Sequence, residues 1–330
     1  MSPDLSRRVL REMMRIRLVE ETIADRYAEW KMRCPVHLSI GQEAPSAAAG
    51  QVLRHSDFAV SGHRAHAHYL AKGGDLPAMI AEIYGKSTGC AGGKGGSMHL
   101  VDERVGFMGS TAIVGGTVPV GVGLALSLDL RGGDDVVCIF IGDAVLETGV
   151  FFEAANFAVL RRLPVLFLCE NNLYSVYSPL SVRQPAGRPL ERVAKGIGLV
   201  TTSGDGNDVR ACHALIDAAV ARLRGGAGPQ FVELSTYRWR EHCGPLYDND
   251  IGYRTVEEFE SWRQRDPIVG FRKLLLQEGT IDEGWTGTTE AALHAEVAAA
   301  FAFAESSPVP REDEAFADIY GRAELSGSGP

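Results

Sequence analysis

Asp143, Asn171 and Asn172 are the residues whose types and spacing most directly suggest chemistry, because each follows the end of a short apolar run. One carboxylate and one or two carboxamides brought together would offer neutral and singly charged oxygens. That donor set suits a hard divalent cation also held by phosphates, as Mg²⁺ usually is. The plainer alternative is a turn or a helix cap, which Asp and Asn often make after a strand. A second group is His63-Arg64-Ala65-His66-Ala67-His68. No Cys or carboxylate nearby completes a metal-ligand spacing, and Arg64 would repel a cation. An anion site fits better, since arginine offers bidentate donors to phosphate and histidine adds donors or a titratable proton. His37 and Glu43 are polar residues that a core would not choose, and surface exposure is the simpler expectation for both.

Two nucleotide motifs can be tested directly. Gly85-Lys86-Ser87 has the ending of an NTPase phosphate loop, but the first glycine of that motif falls on Ile80, so the motif fails. What remains over residues 85–96 is a glycine-dense loop that exposes backbone, and its composition does not say whether it covers a ligand or only connects. The dinucleotide fingerprint begun by Gly121 and Gly123 fails at Leu126, which leaves NAD binding unsupported.

The elements that must position these residues follow from periodicity. Residues 136–141 and 165–169 are continuous apolar runs, and between them Phe151, Ala154, Ala155, Ala158 and Val159 fall at helical spacing. Strand, helix, strand in this order is the right-handed crossover of a parallel sheet, so both strand ends open on one crevice, where such sheets bind ligands. Before it, a first helix carries Leu5, Val9, Met13 and Ile16 and continues into Ile23, and its acidic residues argue against a presequence. Short helices are expected around 44–50 and 76–84, a brief strand at 58–62, and a helix with Pro119 in its first turn leading into 124–130. Gly121 and Gly123 should let that helix pack closely. Further on, 190–197 and 209–224 read as helices, 198–202 as a strand, and 230–240 alternates like a strand running into Glu241-His242-Cys243. Helices are expected at 256–264, 268–277 and 290–305, and the tail 322–330 should be disordered.

The chain of 330 residues is 45% hydrophobic and 23% charged, so one large α/β domain is the natural reading, residues 1–250 with a helical C-terminal appendage over 251–321. A formal charge of −9 argues against a non-specific nucleic-acid or anionic-membrane binder, since both need a basic surface. No apolar run is long enough for a membrane span. The six cysteines form no C-x-x-C pair, which points to reduced thiols in a cytoplasmic protein.

With these pieces in order, the chain resembles the alpha subunits of thiamine diphosphate-dependent 2-oxoacid dehydrogenases, the pyruvate, branched-chain and acetoin dehydrogenase family, over roughly residues 5–310. The resemblance is carried by Gly142-Asp143-Ala144 followed by Asn171-Asn172, the family's GDG…NN signature, joined to HLSIGQEA, HRAH, GGKGGSMH, AIVGG and TYRWREH. It implies a thiamine diphosphate-binding α/β fold. It also implies that Asp143 and Asn172 bind Mg²⁺ by their side chains and Tyr174 by its carbonyl. Arg64 would hold the diphosphate beside His63, with Gly142 and Ala144 next to the metal. Ala112 and Val114 would lend backbone groups to the aminopyrimidine ring, and His37, His66 and His242 would handle protons or phosphate. The glutamate that activates the ring comes, in this family, from a separate beta subunit, so the implied unit is an α2β2 heterotetramer acting on a small 2-oxo acid and passing an acyl group to a lipoyl acyltransferase.

Four departures stand out: Ala144 for the signature's third glycine, His63 where the family usually has Tyr, Arg240 where it has a second histidine, and Cys243 in place of a serine. The resemblance implies that the last two border the channel by which the lipoyl acceptor enters. Two alternatives therefore accompany the dehydrogenase reading: non-oxidative acyl transfer onto an aldehyde or ketone such as a sugar, and a cofactor-free regulatory paralogue. Retention of Asp143, Asn172 and Arg64 speaks against the latter, because a degenerate site should lose its costly polar groups first.

Overall fold

The computed structural model describes residues 1–317, and the expected disordered tail lies outside them. The strands are β1 (Phe58–Ser61), β2 (Phe107–Ser110), β3 (Val137–Gly142), β4 (Val165–Asn171), β5 (Tyr174–Ser175), β6 (Ser178–Pro179), β7 (Val200–Asp205) and β8 (Gln230–Ser235). Six of them form one sheet in the order β2-β1-β3-β4-β8-β7, and every pair in it is parallel. β5 and β6 make a small separate antiparallel hairpin. The chain leaves β1 toward one sheet edge and later leaves β3 toward the other. The crevice over β1, β3 and β4 is thus a point where winding reverses, the usual ligand site of such sheets.

The helices are α1 (Pro3–Arg26), α2 (Glu43–Val52), α3 (His66–Ala71), α4 (Leu76–Ile83), α5 (Thr117–Arg131), α6 (Gly149–Arg161), α7 (Leu180–Arg183), α8 (Leu190–Ile197), α9 (Val209–Arg224), α10 (Val256–Arg263), α11 (Pro267–Gln277) and α12 (Glu283–Ser306). They cover both sheet faces, which explains why the central strands are apolar throughout. Along β3, Cys138 and Phe140 join a core with residues of α1, α2, α9 and α12, whereas Val137, Ile139 and Ile141 join one with α5, α6 and α8. β4 divides the same way, with Leu166 and Leu168 on the first face and Val165, Phe167 and Cys169 on the second. The C-terminal helices belong to the first core, where Phe271, Leu275, Leu293, Val297 and Phe301 are buried with α1.

Some boundaries move for physical reasons. β8 stops at Ser235 rather than continuing to residue 240, because β4 and β7 end opposite it. Beyond that point Trp239 N–H donates to Ile40 C=O and Gly244 N–H to Val36 C=O, so the loop after β8 docks on the segment before α2. α5 begins at Thr117, so Pro119 falls in its first turn as expected and the run 124–130 forms its second half. A Cβ at Gly121 would lie 2.5 Å from Ile139, as close packing requires, whereas one at Gly123 would meet nothing within 4 Å. β2 and the β5–β6 hairpin had no periodic signal. The glycine-dense loop winds round a buried carboxylate instead of exposing its backbone to a ligand. The N–H groups of Ala91, Gly93, Gly95 and Gly96 donate to Glu82 at 2.6–3.0 Å.

Candidate functional site

A cleft enclosing about 820 Å³, open solvent at its mouth included, lies at the carboxyl ends of β1, β3 and β4. From β1 come Ser61, Gly62, His63 and Arg64; from β3, Phe140 to Val145; from β4 and the hairpin, Glu170, Asn172 and Tyr174 to Val176. Val114, Gly115 and Thr117, at the start of α5, line another wall, and Gln42 and His242 complete it. Ala112 is half-buried and does not line the cleft.

Asp143 opens a 3-10 turn (Asp143–Glu147) straight after β3 and is buried. Ala144 sits inside that turn without a left-handed backbone, so the missing glycine costs no conformational strain. Gly142 is extended and lines the cleft, and a Cβ there would meet nothing within 4 Å. Burial pushes the Asp143 carboxyl up from its usual range, opposed by the guanidinium of Arg183 from α7, which pairs with it directly. Arg183 also reaches Glu147 at 2.5 Å. A cation therefore already neutralises this carboxylate from within the chain.

The two asparagines separate. Asn171 ends β4, donates to Glu233 Oε1 at 2.7 Å and accepts from Leu173 N–H at 3.1 Å, which is turn and sheet duty. Asn172 lines the cleft, donating to Gln42 Oε1 at 3.2 Å while its Oδ1 accepts from Tyr174 N–H at 3.3 Å. Leu173 and Val176 take left-handed φ of 73° and 53°, a cost non-glycine residues bear only where surroundings enforce it, and they bracket Tyr174. Tyr174 is buried, with its hydroxyl donating to Glu258 at 2.8 Å. The turn reading and the cleft reading thus hold for neighbouring residues.

Arg64 donates to Leu38 C=O at 2.6 Å and to His242 C=O at 3.2 Å, and among the described residues it has no carboxylate in contact. Burial pushes its pKa down to about 10, with nearby Arg238 adding to the effect. An arginine held by carbonyls alone, beside open space, is suited to an anion. His63, His242 and His37 surround it. Desolvation first, and the Arg64 charge second, lower their pKa values to about 4, 3 and 2 respectively, so all three rings are neutral at pH 7. His37 and Glu43 are both buried, contrary to the expectation of surface exposure. Glu43 accepts from Gly41 N–H and from Arg17 of α1 at 2.9 Å, a structural clamp between α1 and α2. His66 lies outside the cleft lining, fully buried, with Nδ1 3.1 Å from Glu20 and Nε2 2.7 Å from Ser97.

His68, the last residue of the histidine and arginine group, and Glu170, just before the two asparagines, also face the cleft. His68 stacks on Phe140 at 4.0 Å and bonds Ser61 at 2.7 Å and Glu170 at 2.9 Å. Glu170 lies within β4 rather than after it and points to the same face as Leu166 and Leu168. There it also takes Ser46 at 3.3 Å. The period of two along β4 is the signal that could have found this pair; nothing local pointed to Arg183.

The six-stranded parallel sheet flanked by helices, with its cleft at the reversal point, is consistent with the class of thiamine diphosphate-binding folds. The dehydrogenase E1 component family model matches residues 11–312, and the chain belongs to that family. It is 34% identical over 310 residues to the pyruvate dehydrogenase E1 component subunit alpha of Rickettsia bellii, covering 94% of each chain. To the alpha subunit of acetoin:2,6-dichlorophenolindophenol oxidoreductase of Bacillus subtilis it is 34% identical over 317 residues, covering 96% of this chain and 93% of that one. A chloroplastic pyruvate dehydrogenase E1 alpha-3 subunit of Arabidopsis thaliana is likewise 34% identical, over 97% of this chain and 75% of its own. These relatives do not favour the non-oxidative alternative.

Proposed function

We propose that this chain, an oxidoreductase of the dehydrogenase E1 component family, is the alpha subunit of a thiamine diphosphate-dependent enzyme that decarboxylates a small 2-oxo acid and passes the acyl group to a lipoyl acceptor. The observation that carries this reading is the meeting, in one cleft, of a buried Asp143 carboxylate and an Arg64 guanidinium that has no carboxylate in contact among the described residues. The chemistry that thiamine diphosphate supplies when bound is an electron sink for decarboxylation. The side-chain oxygens of Asp143 and Asn172 and the Tyr174 carbonyl would hold Mg²⁺, a set of hard oxygen donors. Arg64 would bind the diphosphate beside His63, with Gly142 and Ala144 leaving room. The backbone of Val114, which lines the cleft where Ala112 does not, would orient the ring. His242 and His37 would move protons at the substrate carbonyl and at the acceptor. A bound diphosphate would offset the Arg64 charge, the second cause of the lowered pKa of both histidines after desolvation, and so would raise them in part. His66, with both nitrogens engaged, would act by fixing the start of α3 next to Arg64.

The partner in this reading is a separate beta subunit in an α2β2 heterotetramer working in the cytoplasm. It is supported by exposed apolar side chains on two adjoining helices, Val120 and Leu130 on α5 and Phe152, Phe157 and Leu160 on α6, where a lone soluble surface would be polar. Among the described residues no helix is long and apolar enough to cross a membrane. Calorimetric titration of the alpha–beta complex with thiamine diphosphate and Mg²⁺ tests the site. Saturable binding, lost in Asp143→Asn, is expected, and a complex that binds neither would be a cofactor-free paralogue. Turnover of pyruvate with a lipoyl domain or an artificial electron acceptor tests the reaction. Carbon dioxide release without reduction of either acceptor would exclude it.

A further inference from the structure

A carboxylate and two carboxamides on the cleft wall are linked in a fixed order. Glu170 and Asn172, two residues apart across the end of β4, both reach Gln42 from the segment before α2, whereas Asn171 between them turns to Glu233. Gln42, Glu170 and Asn172 line the cleft, and the first two are buried. The Glu170 oxygens are engaged separately. Oε1 meets His68 Nε2 at 2.9 Å and accepts from Ser46 at 3.3 Å, while Oε2 accepts from Gln42 Nε2 at 3.4 Å. Gln42 Oε1 in turn accepts from Asn172 Nδ2 at 3.2 Å. An ionised carboxylate only accepts, whereas a carboxamide donates at one end and accepts at the other. Glu170 therefore sets the direction of both amides. Gln42 turns its nitrogen to the carboxylate and its oxygen away, and Asn172 gives its nitrogen to that oxygen. What remains to Asn172 is Oδ1, which accepts from Tyr174 N–H at 3.3 Å and keeps a second lone pair.

We propose that Glu170 is a positioning residue which, acting through Gln42, selects the oxygen and not the nitrogen of the Asn172 carboxamide for a divalent cation. The inference rests on the Mg²⁺ reading of the cleft and adds to it the device that readies one ligand. A hard cation takes oxygen donors, so a flipped carboxamide, presenting N–H instead, removes a ligand. The two ends of an amide have nearly the same shape and differ only in what they bond, so its orientation has to be set by its neighbours. Tyr174 N–H favours the same orientation from the turn side, and the relay supplies it from the sheet side. His68, stacked on Phe140 at 4.0 Å, occupies Oε1 and leaves Oε2 to Gln42. Partners of a metal ligand, as Gln42 is here, are worth about 10–100-fold in metal affinity.

The test is calorimetric titration of the alpha–beta complex with Mg²⁺ in the presence of thiamine diphosphate. Gln42→Met breaks the relay without changing charge, and Mg²⁺ affinity should fall about tenfold. In the Asn172→Asp background both terminal atoms are oxygen and no orientation needs selecting, so the same substitution should leave the affinity nearly unchanged. Glu170→Gln should show the same dependence on background, and it serves alone if thermal melts show that Gln42→Met does not fold. A fall of equal size in both backgrounds would mean a merely structural role. Unchanged affinity in folded Gln42→Met would mean that the Tyr174 turn sets the amide unaided. Either result overturns the inference and leaves the reading of the cleft intact, whereas a parent complex that takes up no Mg²⁺ overturns both.

Discussion

Asp143 carries its cation with it. A carboxylate this buried is costly unless paired, and Arg183 supplies the pairing from a short helix after the hairpin. Mg²⁺ seeking the same oxygens would have to displace that guanidinium. Arg183→Gln should therefore tighten Mg²⁺ binding while lowering the stability of the metal-free chain, toward the lower end of the roughly 3–5 kcal/mol of a broken buried pair because Arg183 is only partly enclosed. Calorimetry and thermal melts with and without Mg²⁺ read the two effects. The histidines give a pH signature. In the unfolded chain they take up protons near the ordinary value of 6.5, whereas in the fold His63, His242 and His37 do so only near 4, 3 and 2. The unfolded state thus binds more protons as pH falls, so their contribution is complete above about pH 6.5 and is lost progressively below it. Melts of the chain from pH 8 to pH 4 should fall in that window, and less steeply in His242→Gln.

The element that matters most for the site is the segment between β8 and α10. It has no regular structure, yet Arg254 pins it by donating to the carbonyls of Arg238 and Trp239 and to Asp248 at 2.6 Å. Arg238 adds donations to Arg240 C=O and Val176 C=O at 2.7 Å, so the loop bearing His242 is tied to the hairpin bearing Tyr174. Arg254→Met should cost about 3 kcal/mol, since it strands the buried carbonyls of Arg238 and Trp239 and, among the described residues, leaves Asp248 with Arg238 and Tyr253 alone. Limited proteolysis should then cut within residues 240–250 sooner than in the parent chain. Equal cleavage rates would mean that the docking on residues 36–40 holds the loop unaided.

For the whole molecule, burial is uneven. The sheet is covered on both faces and the C-terminal helices close over α1, but the outward sides of α5 and α6 expose large apolar side chains among charged ones, with Leu130 and Leu160 each 73% exposed. Leu160→Glu should leave the isolated chain's melting temperature nearly unchanged, since a surface substitution shifts stability within about 0.5 kcal/mol. Co-purification with the beta subunit should fall sharply. Unaltered association would assign that surface to some other contact.

What the sequence determined by itself was whatever is local. Apolar runs with a helical spacer made 136–171 a parallel crossover. The order of Gly142-Asp143, Asn171-Asn172 and HRAH told which residues gather at strand ends, because a parallel sheet presents all those ends on one side. Only the tertiary structure decided that Asn171 serves the turn and Asn172 the cleft, and that Glu43 is a buried clamp. It alone paired Arg183 with Asp143 and brought His37, His63 and His242 within reach of one another. Those outcomes depend on which segments dock across long stretches of chain, and on the desolvation this imposes, neither of which leaves a period or a spacing to read.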